Sequence, residues 1–94
     1  MQDALSPSLI EKEAITSYSF NQPVSFKQHP DLLKKLTNAT QLGNTSKVKV
    51  HIDFHTDEGP KTVETTIWAT GNQFICLKGG LWIPISRIID IRFI

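Results

Sequence analysis

A chain of 94 residues makes one domain, near the lower end of what a single hydrophobic core holds together without disulfides or metals. The apolar share of 39% and charged share of 20% are those of a globular chain, and a formal charge of +1 argues against a broad nucleic-acid footprint, which needs clustered Lys and Arg. The single cysteine, Cys76, excludes an intrachain disulfide and a four-cysteine zinc site, and no apolar run approaches the ~20 residues of a membrane span.

The N-terminal stretch "MQDALSPSLIEKEAITS" carries three acids and one base and lacks the basic start and apolar run of a signal peptide. The expectation is a cytoplasmic protein. In that setting the triplets Asn38-Ala-Thr40 and Asn44-Thr-Ser46 are chance matches to the glycosylation signal. Ser8-x-x-Glu11 has capping-box form, so a short helix is expected to open at Pro7 or Ser8 and carry Leu9, Ile10 and Ala14. "YSFNQPVSF" follows, an extended arm in which Tyr18 and Phe20 alternate ahead of Pro23. A second helix is predicted from Pro30 and Asp31, with Gly43 just past its end. Its apolar stripe is Leu32, Leu33, Leu36, Ala39 and Thr40. Residues 1–46 thus read as a helical and extended arm, residues 47–94 as the β part of the same domain.

In that second part strand one is predicted over Lys47 to Thr56, where Val48, Val50, Ile52 and Phe54 alternate with Lys49, His51, Asp53 and His55. "DEGP" is a short loop, and strand two runs over Thr62 to Thr70. Gly71-Asn72 is read as a two-residue hairpin whose first position needs positive φ, and Gly79-Gly80 as a second tight hairpin. Strands three, four and five follow as Gln73 to Lys78, Leu81 to Ile85 and Ile88 to Ile94, the last two joined by one turn at Ser86-Arg87.

"LLKKLTNATQLGNTSKVKVHIDF" followed by "LWIPISRIIDI" resembles the Sm-like family and its SH3-type relatives, over roughly residues 31 to 93. The resemblance implies a helix leading into a five-stranded small barrel whose fourth strand turns directly into the fifth. It also marks departures. The family's uridine-contacting Asp-x-x-x-Asn motif is represented only by Gly71-Asn72, and its Arg-Gly motif only by Ser86-Arg87. Of the nucleic-acid positions, Asn72 and Arg87 alone occupy comparable loop ends.

His51, Asp53 and His55 share one strand face, and adjacent members lie roughly 6 to 7 Å apart at Cβ, so a His-x-Asp pair with Glu64 from strand two is the weak candidate for a metal. The plainer reading is a solvated face opposite the apolar row, and no metal or cofactor is expected. Cys76 lies mid-strand with no activating neighbour in sequence, and no nucleophile elbow or phosphate loop is present, so no enzyme is expected. The tryptophans carry more. Trp68 falls out of phase with Val63, Thr65, Ile67 and Ala69, and Trp82 with Leu81, Ile83 and Ile85. With Phe74 and Cys76 they are expected to converge on the outer face, and an apolar patch of that size calls for cover. That cover is either the chain's own residues 18 to 42 or a protein partner, including a second copy pairing along the apolar last strand "IIDIRFI".

The sequence therefore reads as an α+β protein, an N-terminal helical arm followed by a five-stranded antiparallel SH3-like (Sm-like) barrel. It is expected to act as a non-catalytic binding or assembly module. RNA or single-stranded nucleic-acid binding on Trp68 or Phe74 is the alternative, and a metal-dependent enzyme built on His51, Asp53 and Glu64 the third reading.

Overall fold

The computed structural model describes residues 7–94; the reading of the extreme N-terminus as free of a targeting signal rests partly on residues 1–6 and falls outside them. The fold is α+β. Seven short strands form two sheets among the described residues: β1 (Ser8–Leu9), β2 (Val50–Thr56), β3 (Gly59–Thr65), β4 (Ile67–Thr70), β5 (Phe74–Leu77), β6 (Leu81–Pro84) and β7 (Ile88–Phe93). One sheet has the order β1-β3-β2-β7 and the other β4-β5-β6. One α-helix, α1 (Leu32–Ser46), and two 3-10 turns, Lys12–Ser17 and Ile85–Arg87, are the other elements among the described residues.

The expected single meander is thus split, and the barrel is not closed. The break falls at Thr66, between β3 and β4, where the predicted strand two bends. Thr66 is buried, and its carbonyl still accepts the Lys78 N–H at 2.9 Å, so the backbone turns without losing its partner. Both sheets send their inner rows into one core, in which Ile52, Phe54, Val63, Ile67, Ile75, Leu77, Ile83, Ile88 and Ile91 are fully buried.

The N-terminal segments are not an appended arm. Contacts of α1 run to β4 and β7, one from each sheet, so the helix closes the open side between them. Leu32, Leu36 and Ala39 enter the core, each leucine stabilising the fold by about 1.5–3 kcal/mol. Leu33 was expected in that stripe but points to solvent, 71% exposed, because the buried row continues instead through Gly43. Gly43 therefore lies inside the helix rather than beyond it. A Cβ there would sit 2.4 Å from the Ile67 carbonyl oxygen, so only glycine lets α1 approach β4 this closely. The helix stops instead at Lys47, a non-glycine residue with φ 54° in the left-handed region, at a cost of about 1–2 kcal/mol.

The predicted first helix is likewise corrected. Ser8 and Leu9 pair in parallel with Lys61 and Thr62, and Ile10 N–H donates to the Thr62 carbonyl at 2.8 Å. The edge of β3 takes up these backbone groups, and helical geometry begins only at Lys12, as a 3-10 turn that buries Ile15 between β3 and β6.

The turns show how far glycine spacing reaches. Thr56 pairs with Gly59, so "DEGP" contributes only Asp57-Glu58 to its turn, with Gly59 at φ 110°. Gly79 and Gly80 adopt φ of 94° and 84°, as their hairpin needs, in a loop that also includes Lys78. Gly71 does not have the positive φ expected of it. Its N–H donates to the Phe74 carbonyl at 2.9 Å, which moves the turn to Asn72-Gln73.

Candidate functional site

The outer face of the β4-β5-β6 sheet follows from strand alternation. Ile75, Leu77 and Ile83 point inward and are fully buried, which turns Phe74, Cys76 and Trp82 outward. On β4 the register shifts between Ile67 and Ala69, so Trp68 is the extra residue of a bulge and projects beside β5. Trp68 is 46% exposed, Phe74 44% and Trp82 55%. The Phe74 and Trp82 rings meet edge to face, centroids 6.4 Å apart at 88°, which holds both upright on the sheet. Cys76 pairs with Trp82 on one side and with Ala69 on the other, placing a half-buried free thiol at the centre of the face.

Trp82 is thus outside in the phase expected of it, whereas Trp68 is outside as a bulge residue and Ala69, expected in the inward row, is exposed beside it. Cover by the chain's own residues 18 to 42 does not hold. Helix α1 goes to the edge of β4 and to β7, and the extended stretch goes elsewhere. Phe20 packs on Phe54, Phe26 stacks on His55 with centroids 5.3 Å apart, and Tyr18 lies under the Lys61 ammonium. Of these only Phe26 reaches the β2 face bearing His51, Asp53 and His55, while Phe20 and Tyr18 lie on the side of Phe54 and its cross-strand neighbour Lys61.

Asp53 is buried. Its carboxylate accepts from Thr62 Oγ1 and, in two parallel bonds of 2.9 and 2.8 Å, from the Arg92 guanidinium. The hydrogen bonds that Arg92 donates to Asp53 raise its pKa above the ordinary value, against the opposing effect of burial. His51 Nε2 lies 3.0 Å from Glu64 Oε1, across the β2–β3 pair. The metal candidates are thus divided: His51 and Glu64 meet, while Asp53 is committed to Arg92. Among the described residues no three His, Cys, Asp or Glu side chains are grouped to hold a metal ion.

Asn72 and Arg87 are separated by burial as well. Asn72 sits exposed in its turn, whereas Arg87 is 6% exposed and bonded inward. Its guanidinium donates to the carbonyls of His55 (3.0 Å) and Gln22 and to Asp57 Oδ1 (3.1 Å), and lies over the Phe20 ring. Burial would raise the Asp57 pKa, but the Asn21 and Gln22 N–H groups and Arg87 outweigh it and hold the carboxyl below the usual range. This network fastens residues 20–22 to the β2–β3 turn. Sequence reasoning missed it, since its members lie 30 to 65 positions apart along the chain.

Two further features come only from the coordinates. A hollow of about 260 Å³ between the end of α1 and β4 is lined by Gly43, Asn44, Lys47, Thr66, Trp68 and Lys78. Another of about 470 Å³ runs beside Phe74, lined by Asn72, Gln73, Pro84, Ile85 and Ser86. One sequence signal pointed this way: no acid occurs between Glu64 and Asp90. No family model, curated protein or solved structure matches the chain.

Proposed function

We propose that this chain is a non-catalytic binding module whose outer β4-β5-β6 face receives a protein partner. The observation that carries the reading is the triad of rings, Trp68, Phe74 and Trp82, standing between 44% and 55% exposed on one sheet face. Aromatic anchors of this kind dominate protein interfaces, and a patch of this character on a small domain is commonly functional. The strand order β7-β2-β3, continued through Thr66 into β4-β5-β6, with one 3-10 turn before β7, supports an SH3-like, Sm-like topology in open form. A cytoplasmic setting, where Cys76 stays a free thiol, belongs to the same proposal.

Single-stranded nucleic acid on the same rings is the second reading, favoured by Lys47 and Lys78 beside Trp68. The inward-bonded Arg87 takes away the cation that the Sm-like resemblance would have supplied. The metal-enzyme reading loses Asp53 to its pair with Arg92.

The test is retention of host proteins on the immobilised chain, compared between wild type and Trp82→Lys. Partners held by the wild type and lost by a variant of unchanged melting temperature support the reading. The same proteins retained by wild type, Trp82→Lys and Trp68→Lys alike would refute it.

A further inference from the structure

The hollow beside Trp68 brings two lysines together against an aromatic side chain. Among the described residues Lys35, Arg87 and Arg92 are paired with Asp90, Asp57 and Asp53, whereas Lys12, Lys27, Lys34, Lys49 and Lys61 stand in no ion pair and line no hollow with a tryptophan. Lys47 and Lys78 are in no ion pair among the described residues, yet both line the same small hollow, with the indole of Trp68 as its apolar wall. The β4-β5-β6 segment offers neither lysine a carboxylate, because no acid lies between Glu64 and Asp90. Lys47 is also the only non-glycine residue of positive φ among the described residues. Strain of that sort is retained where the surrounding structure needs the side chain in one place. Gly43 makes the arrangement possible by letting the end of α1 descend onto β4.

Resting on the reading of this face as a protein-docking surface, we infer that the partner presents a linear peptide with an acidic side chain next to an apolar one. The carboxylate sits between Lys47 and Lys78, the apolar side chain lies on Trp68, and the following residues run toward Phe74 and Trp82. Size supports a short segment. The hollow, at about 260 Å³, falls below the ~300–1,000 Å³ that encloses a drug-sized molecule, so it takes one or two side chains.

Two other occupants fit less well. A second copy of the chain would bring to this face the same two lysines and no acid, a like-charge contact. The three rings also expose only roughly 350 Å², taking about 200–250 Å² for each whole side chain, against about 800 Å² per partner in a stable dimer. A nucleic-acid strand crossing three rings brings a phosphate with every nucleotide, whereas the face offers two lysines and no arginine.

The experiment pans a library of random short peptides, displayed on phage, against the full chain, its Lys47→Gln and Lys78→Gln variants, and Trp68→Lys. Enriched sequences are expected to carry Asp or Glu beside Leu, Phe, Trp or Tyr. A synthetic peptide of the enriched sequence should bind roughly two- to fivefold more weakly to each lysine variant, the range for an exposed ion pair, and more weakly as salt rises. Enrichment without acids, or an affinity untouched by both lysine changes, overturns the inference while leaving the docking face standing. Equal enrichment on wild type and Trp68→Lys overturns both. Displacement of the peptide by oligo-dT at lower concentration than the peptide's own Kd overturns the inference in favour of nucleic acid.

Discussion

Gly43→Ala is the substitution whose sign tests the packing of α1 most sharply. In an exposed helix interior, replacing glycine by alanine stabilises by roughly 0.5–1 kcal/mol, because alanine loses less backbone freedom on folding. At position 43 the added Cβ would lie 2.4 Å from the Ile67 carbonyl oxygen and 2.9 Å from Thr66 Cγ2. Ordinary contact needs roughly 3.5 Å, so the helix must retreat from β4 by about 1 Å. The obstacle is main chain in a paired strand and cannot rotate away. Overpacking of this kind costs roughly 1–3 kcal/mol, so the net effect is a destabilisation of about 1–2 kcal/mol, or roughly 4–16 °C in Tm. Urea denaturation of Gly43→Ala beside the exposed helix control Asn38→Ala measures it, the control gaining about 0.5 kcal/mol. A Gly43→Ala protein as stable as wild type would refute the close approach of α1 to β4, and with it the geometry of the hollow between Lys47 and Trp68.

Three more expectations concern the network and the face. Arg87→Met should destabilise by about 2–3 kcal/mol in urea melts, because the Gln22 and His55 carbonyls lose their donor, and a change within about 0.5 kcal/mol would show the network idle. The Asp57 carboxyl is held below its ordinary pKa, so on acidification the unfolded chain takes up this proton first. Its stabilisation is therefore full above about pH 4 and is lost as pH falls through the lowered folded value, and Asp57→Asn should flatten that acid limb in thermal melts followed by circular dichroism. Trp82→Lys should stay within about 1 kcal/mol of wild type, since the indole is 55% exposed and loses chiefly its edge contact with Phe74. A larger loss would place Trp82 in a packed environment.

What was legible in the sequence was what strand alternation encodes. Val50, Ile52 and Phe54 are inside and Trp82 is outside, because a period of two needs only neighbouring residues, while the bulge that turns both Trp68 and Ala69 outward was not legible. What was hidden depends on pairs distant in sequence. Gly43 looks like a helix stop and is a packing surface, a distinction made by Ile67 rather than by its own neighbours. Ser8-x-x-Glu11 has the form of a cap, yet the unpaired edge of β3 recruits Ser8 and Leu9 as a strand. The His51, Asp53 and His55 face reads as solvated, and Phe26 and Arg92 cover it from elsewhere in the chain. Arg87 reads as a loop-end cation, but only the folded chain brings Gln22, His55 and Asp57 around it. Asn72 kept its place in a turn, shifted by one residue.

The same distant contacts bear on which surfaces stay open. Sheet edges are the other natural docking sites of so small a β protein. The outer edge of β3 is taken by β1, and β4 lies against α1, where Thr40 and Thr70 hydroxyls meet at 2.6 Å. Along β7, the apolar strand expected to pair with a second copy, the Ile89 carbonyl accepts the His29 N–H at 2.8 Å and the Ile91 carbonyl accepts Lys35 Nζ at 3.1 Å. Gln28 Nε2 reaches the Ile85 and Ile88 carbonyls at 2.7 and 2.8 Å, at the start of the same strand. A strand from another molecule would have to displace all of these donors before making its first ladder bond. The outer face of β4-β5-β6 has no such occupant among the described residues, and its rings stand exposed beside Lys47 and Lys78. On the proposed reading, the residues that block the edges of β3, β4 and β7 leave the tryptophan face as the open surface.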